Sequence, residues 1–380
     1  MAHEFPLPRA AYVHVPFCRH RCGYCNFTLV AGRDDLIDDY LRAVALELGA
    51  LGEPREVDTL FFGGGTPTHL PPEKLRRLIE TVLQWFPLAE DPEFSVEANP
   101  ADLTDEMLAV LAAGGVNRIS LGGQSFDPAK LKLLERDHTP DHLRRAVETA
   151  KQSFASASLD LIFGVPGETL EIWRADLAEM LALAPGHVST YGLTFERGTA
   201  YWSRLLAGDL RRLDEELECA MYAAAIDTLT AAGFEHYEVS NFSRQGHRCR
   251  HNEAYWAGDG YFAVGPGAAR YVNGRREMNH RSTTTYLKRV LGGFSPVAES
   301  ETLDAADRAR EALVFGLRRL AGIDRQAFAA RTGFALESLV GEPLNRMISL
   351  GLLAEDGPRV RLTRQGLFVS DGIWPHFLKR

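Results

Sequence analysis

Between residues 10 and 232 the chain alternates six times between a short apolar run and a longer segment of helical apolar spacing. The runs are AYVHVP, VDTLFFGGG, EFSVEANP, VNRISLGGQSF, SLDLIFGVPG and HVSTYGLTF. Helical periodicity fills 34–51, 71–86, 104–115, 128–154, 170–185 and 214–232, with prolines opening the second and Thr104 placed to cap the third. Repeated strand-then-helix units favour a parallel sheet, because each crossover returns the chain to the same edge direction. Six units are too few for a closed eight-stranded barrel. The expectation is an α/β fold with a partial (β/α)6 TIM-like barrel over 1–235, with a doubly wound sheet second. Residues 236–304 read as an irregular connecting region rich in glycine and aromatics. Residues 305–380 read as a mostly helical, winged-helix-like unit containing a short hairpin.

Composition narrows the function classes. The 380 residues are 45% hydrophobic and 24% charged, with a net charge of −9, as in ordinary soluble globular proteins. An acidic balance gives no electrostatic case for a nucleic-acid partner. No apolar run is long enough for a membrane span, and the N-terminal MAHEFPLPRAAY lacks a signal pattern, so a cytoplasmic location is expected. Five cysteines is an odd number, and three of them crowd one loop, which argues against a disulfide framework.

That loop, YVHVPFCRHRCGYCNF, places Cys18, Cys22 and Cys25 at C-x3-C-x2-C spacing directly after the first strand. Structural zinc would need a fourth ligand, for which His14 or His20 is at hand, and zinc sites usually bring a second cysteine arm that is missing here. Three thiolates instead suit a [4Fe–4S] cluster with one iron left open to a small molecule. The strand ends add to this. The second run ends in Gly63, Gly64, Gly65 and Thr66, the third carries Glu97, the fourth Gln124 and the fifth Asp160. In parallel barrels such strand ends share one rim, where ligands gather.

C-x3-C-x2-C with Tyr24 before the last cysteine resembles the radical S-adenosylmethionine (SAM) superfamily. That resemblance implies that SAM occupies the open iron through its methionyl amino and carboxylate groups. The reduced cluster then passes an electron to the sulfonium, releasing a 5′-deoxyadenosyl radical. Further motifs resemble its coproporphyrinogen oxidase-like branch: Y-x-H-x-P-F-C from Tyr12 to Cys18, GGGTP, S-x-E-x-N-P from Ser95, R-x-S-x-G-x-Q-S-F from Arg118 and D-L-I-x-G-x-P from Asp160. The resemblance assigns the cluster to Cys18, Cys22 and Cys25. It assigns SAM contacts to Tyr12, Tyr24, Gly64, Gly65, Thr66, Glu97, Gln124, Arg136 and Asp160. Arg136 would pair with the SAM carboxylate, and its bland reading is a surface helix charge.

Two features depart from the oxidases of this branch. They carry an extra cysteine two positions after the third ligand, where this chain has Phe27, and a longer segment before the first motif than the eleven residues here. CRHNEAYW contains H-N-x-x-Y-W, which resembles the HemW family of haem chaperones. It implies haem binding by Cys249, His251, Asn252, Tyr255 and Trp256, with His251 as candidate iron ligand. A histidine beside Tyr and Trp is more often a packed, hydrogen-bonded group. VGPGAARY, from Val264 to Tyr271, resembles the branch's glycine-rich turn near SAM. The resemblance implies acceptor haemoproteins, respiratory ones included, as partners, with a second copy of the chain and peripheral membrane contact as further candidates. The competing reading is a radical enzyme acting on a porphyrinogen or other small substrate, by decarboxylation or methyl transfer. A nucleic-acid-modifying enzyme ranks last, because the arginines of 305–380 alternate with acids.

Overall fold

A computed structural model describes residues 7–378; the first six residues of the stretch read for a signal pattern lie outside the described residues. Six strands in the expected order form the centre: β1 (Ala10–Val15), β2 (Val57–Gly64), β3 (Leu88–Ala98), β4 (Arg118–Gln124), β5 (Ser156–Phe163) and β6 (His187–Gly192). All neighbours among them pair in parallel. Helices α1 (Ile37–Gly49), α2 (Pro72–Trp85), α3 (Asp105–Ala113), α4 (Pro128–Leu133), α5 (Pro140–Ser153) and α6 (Leu170–Leu183) run between them. Thr104 caps α3, accepting from the Met107 amide at 3.2 Å. Leu60, Phe62, Phe94, Val96, Leu121 and Leu159 alternate along the strands and are fully buried in the helix-facing core. The sheet stays open, with antiparallel strands at both ends rather than closure.

Two expectations need correction. The helical stretch 128–154 is broken. Asp127 caps α4 and Thr139–Pro140 starts α5 with a capping box, so 134–139 form a turn in which Glu135 has φ +55°. The region read as irregular after residue 236 supplies sheet edges instead. Strands β7 (Glu235–Glu238) and β8 (Asn241–Ser243) extend the sheet beyond β6. Helices α7 (Ala200–Ala207) and α8 (Glu215–Ala231) precede them. Helix α9 (Arg250–Ala257) then leads to β9 (Tyr261–Val264), which pairs parallel to β1 on the other side. Strands β10 (Ala269–Val272), β11 (Arg275–Asn279) and β12 (Val297–Thr302) continue outward as an antiparallel ribbon. Short strands between glycine turns carry little periodicity, which is why these were not legible. Helix α10 (Thr283–Leu291) packs on α1 across this edge.

The last unit holds α11 (Ala305–Arg318), β13 (Ile323–Asp324), α12 (Arg325–Thr332), α13 (Leu336–Ser349), and the hairpin β14 (Leu353–Asp356) and β15 (Arg359–Leu362). The three strands form one antiparallel sheet, a winged-helix-like arrangement. Helix α11 packs on α9. Among the described residues no helix is long and apolar enough to cross a membrane.

One buried ionic group fixes the segment after β4. Lys130 on α4 contacts Glu168 at 2.5 Å and Asp176 on α6 at 2.9 Å, all three being at most 5% exposed. The ammonium also lies 5.0 Å from the Trp173 ring centre, and Ser125 and the Phe126 amide donate to Asp176. Removing the lysine leaves two buried carboxylates without a cation. Lys130→Met is therefore expected to lower unfolding free energy by about 3–5 kcal/mol, read from urea denaturation. A loss below about 1 kcal/mol, the scale of an exposed pair, would show that the triad does not hold this segment.

Candidate functional site

A cavity of about 830 Å³ opens at the carboxyl ends of β1–β6. Three features of the chain build its mouth. Phe17–Cys18 pairs with Val30–Ala31, which closes the intervening loop into a tight excursion. Cys18 Sγ lies 3.4 Å from Thr66 Oγ1, Cys22 Sγ lies 3.6 Å from the Glu135 carbonyl, and the Cys25 amide donates to the Cys22 carbonyl at 3.0 Å. All three thiols line the cavity. Burial pushes Cys18 up to about 12 and raises Cys25, so positive charge added beside these two thiols would favour their thiolates. Among the described residues no three His, Cys, Asp or Glu side chains converge as the ligands of one bare ion would.

His14 does not join the cysteines. Its Nε2 donates to the Thr28 carbonyl at 2.6 Å, which leaves Nδ1 to accept from the Tyr12 hydroxyl at 3.1 Å. Burial lowers its pKa to about 4, so the ring is a neutral strut between β1 and the loop's far end. His20 is exposed and pairs with Glu135 at 3.2 Å.

The glycine strip is a close approach of backbone. Gly64 sits at φ +110°, and a Cβ there would lie 2.4 Å from the His14 ring; one at Gly65 would lie 2.8 Å from the Phe17 carbonyl oxygen. The Gly64 amide donates to Glu97 Oε2 at 3.0 Å. Burial, then the nearby Asp160, raise Glu97 to about 7. Burial raises Asp160 to about 6 although Ser189 and Ser120 donate to it. Gln124 ends β4 at φ +67°, a strained conformation of the kind that clusters at functional sites.

Arg136 is not a surface helix charge. It lies in the turn between α4 and α5, with Nη2 donating to the Gly122 carbonyl at 2.8 Å and Nη1 3.7 Å from Cys22 Sγ. Its Nε is buried without a hydrogen-bond partner, the polar vacancy an anionic ligand group would fill. Tyr24 stands edge-on to Tyr201, whose ring would be 2.5 Å from a Cβ at Gly23. Tyr12, Tyr24, Gly64, Gly65, Thr66, Glu97, Gln124, Arg136, Asp160 and the three cysteines thus share one cavity.

The second candidate set lies apart. Cys249 and His251 are 2% and 1% exposed and line neither this cavity nor the next. His251 Nδ1 is bonded to Thr59 Oγ1 at 2.9 Å and Nε2 to the Tyr255 hydroxyl at 2.8 Å, and the ring stacks on Phe61 at 5.1 Å. Burial lowers its pKa to about 3. Cys249 Sγ faces Glu93 at 3.6 Å, and burial raises it to about 12. Asn252 is half-buried on the same helix. Tyr255 and Trp256 reach a second cavity of about 360 Å³, which Tyr12 also lines.

Sequence reasoning missed Glu93, whose carboxylate accepts the Arg250 and His251 amides at 3.0 Å each and so caps α9 from another strand. Period-two polar positions at Glu93, Ser95 and Glu97 inside an otherwise apolar strand were the available signal. Tyr201 and Ser189 gave none.

Residues 12–180 match the Radical SAM superfamily and residues 303–369 the HemN C-terminal domain. Those two segments define the class, a radical SAM protein with a HemN-type tail. A protein named heme chaperone HemW from Lactococcus lactis is 36% identical over 98% of this chain and 97% of its own. Its Bacillus subtilis namesake is 33% identical over 97% and 99%. The chain belongs to this HemW family of the radical SAM superfamily. Coproporphyrinogen III oxidase HemN of Escherichia coli shares the fold, with TM-score 0.87 over 98% of this chain and 90% of that one at 23% identity.

The raised carboxyls give a signed pH effect. Glu97 takes up a proton on folding between its ordinary value of 4.5 and about 7, so its burial costs more as pH rises through that window. Glu97→Gln is expected to gain stability over the parent progressively from pH 4.5 to 7, read as the difference in urea midpoints. A difference that does not vary with pH would mean the carboxyl titrates normally.

Proposed function

We propose that this protein is a radical SAM-type haem chaperone: it binds a [4Fe–4S] cluster, SAM and haem, and delivers haem to acceptor haemoproteins. The observation that carries this reading is the end-to-end likeness to proteins named heme chaperone HemW, which spans the cysteine loop, the H-N-x-x-Y-W helix and the tail together. A cytoplasmic site of action and acceptors that include respiratory haemoproteins belong to the same reading.

The residues fit the cofactors. Cys18, Cys22 and Cys25 would hold a [4Fe–4S] cluster through their three thiolates, with SAM bound beside it. When bound and reduced, the cluster and SAM supply one-electron cleavage chemistry at the sulfonium. Around them, Arg136 has an unused Nε for the SAM carboxylate. Gly64 and Gly65 leave backbone room for the methionyl amino group. Asp160 is an acceptor for ribose hydroxyls, with Glu97, Gln124, Thr66, Tyr12 and Tyr24 completing the wall. The cavity volume falls in the range of sites that enclose a ligand of SAM's size. At the position of the oxidases' extra cysteine stands Phe27, 66% exposed on the rim, where it offers neither a thiol nor an acid.

Three results test the reading. Cys22→Ala should abolish cluster assembly, measured as iron and sulfide content; a full complement would remove the ligand assignment. Glu97→Gln with Asp160→Asn should weaken SAM binding at least about tenfold, roughly 1.4 kcal/mol, while iron is retained. Haemin loaded anaerobically on the reconstituted protein should move to an added apo-haemoprotein, followed in the Soret region. Absence of both binding and transfer, with decarboxylated product formed from coproporphyrinogen III, would replace the chaperone reading by the oxidase one.

A further inference from the structure

We propose that Tyr201, on α7, is a positioning residue for the cofactor pocket: it ties the cysteine loop to the turn that carries Arg136, and so sets the contact between Arg136 and Cys22. This rests on the cofactor reading above and names a residue outside the loop on which that pocket depends.

Tyr201 grips two segments at once. On one side is the cysteine loop. The Tyr201 amide donates to the Gly23 carbonyl at 2.9 Å, between the second and third cysteines. Its ring fills the space a side chain at Gly23 would need, with a Cβ there falling 2.5 Å from two ring carbons. Tyr24 stands edge-on to the same ring at 6.1 Å and 69°. On the other side is the turn 134–139. Glu135, at φ +55°, follows the end of α4, and the Tyr201 hydroxyl donates to the Leu133 carbonyl at that end. The last carbonyls of a helix lack intrahelical partners, and this hydroxyl supplies one.

Helix α7 is a firm seat for the side chain. Thr199 caps it by accepting from the Trp202 amide at 3.2 Å, and Gly208, at φ +83°, ends it. Tyr201 is fully buried in a small apolar cluster with Leu134, Ile162, Val165, Leu193 and Phe195, apart from the main core. Further along α7, Arg204 stands over the Tyr201 ring at 5.7 Å and pairs with Glu135 at 2.9 Å. His20 of the loop reaches the same carboxylate at 3.2 Å. Both of these pairs have an exposed cation and add little energy. The buried ring and hydroxyl therefore hold loop and turn in register.

The turn brings two groups to Cys22. The Glu135 carbonyl lies 3.6 Å from its Sγ, and Arg136 Nη1 lies 3.7 Å from it. An N–H directed at a cluster sulfur raises the reduction potential, because it offsets the negative charge gained on reduction. The unused Arg136 Nε is the group assigned above to the SAM carboxylate. Both roles need Arg136 at a fixed height over the loop, and Tyr201 is bonded to loop and turn alike.

The experiment uses the anaerobically reconstituted protein and three variants: Tyr201→Phe, Arg136→Gln and the two combined. Tyr201→Phe keeps the ring and removes only the bond to Leu133. It is expected to retain full iron and sulfide content and the parental far-ultraviolet circular dichroism. Its SAM dissociation constant should rise about three- to tenfold, the scale of one buried hydrogen bond. Its midpoint potential, read by electron paramagnetic resonance during a dithionite titration, should become more negative. A residue that only stabilised the fold would move neither property of the folded, loaded protein. In the Arg136→Gln background, removing the hydroxyl should no longer shift the potential. An unchanged SAM constant and potential in Tyr201→Phe would overturn the proposal and leave the cofactor reading intact. So would a potential shift that persists without Arg136. Loss of iron in Tyr201→Phe would also overturn it, by making the hydroxyl a support of the loop rather than of the turn. A parent chain that takes up neither cluster nor SAM would sink the cofactor reading itself.

Discussion

The inner face of the parallel sheet carries carboxylates that water cannot reach freely, and the rest of the site follows from the need to satisfy them. A buried carboxylate without donors is costly, so each one recruits backbone or hydroxyl hydrogen. Glu97 takes the Gly64 amide, which holds the glycine strip at the end of β2 in place. Glu93, two turns of the pleat below it, takes the first two amides of α9 and anchors that helix beneath the pocket. Asp160 takes serine hydroxyls from both flanking strands. On the helix side of α1, Glu47 does the same for the opposite edge. It accepts from Gly265, Asn279 and Tyr286, tying the glycine-rich 264–271 turn and α10 to the first crossover helix.

That pattern separates what could be read in the sequence from what could not. The six βα units and the strand-end residues follow from periodicity and from side chains that are polar where an apolar run stops. These are local signals, and Thr104, Glu97 and Asp160 all lie where such signals put them. Arg136 was assigned only through resemblance, because a charge next to a helical stretch reads as solvated. Its inward placement depends on the break at Glu135 and on the Lys130 triad, both set by contacts made distant in sequence. The outer strands β7–β12 are too short and too rich in glycine to declare themselves. Their pairing partners, β6 on one side and β1 on the other, lie far away in sequence, outside any local window.

His251 shows the same limit in reverse. Resemblance makes it a candidate iron ligand, while its Tyr and Trp neighbours favour a packed, hydrogen-bonded group; the residue is 1% exposed and lies in a column of rings running Tyr12, Phe61, His251, Tyr255, Tyr261. Neighbouring centroids along this column are 6.1, 5.1, 4.8 and 4.6 Å apart. A neutral imidazole bonded at both nitrogens lets the column carry a polar group through an otherwise apolar stack without an unsatisfied atom. The motif thus builds the partition between two cavities.

The partition makes the C-terminal unit part of the site. Arg318 of α11 reaches back to Glu238 at 3.3 Å and lies over Trp256, while Arg331 on α12 donates to the Ala257 carbonyl at the end of α9. Leu320 adds a backbone bond to Tyr237. The contacts to Trp256 and Ala257 hold α9 from the outside as Glu93 does from within, and those to Glu238 and Tyr237 tie the same unit to β7. Without α11 the second cavity would lose Phe315 and Glu311, and Arg276 would lose the carboxylate that orients it. The tail therefore acts as a wall of the second cavity, and a protein of this build that lacked it would keep its cofactor pocket but not the enclosure beside it.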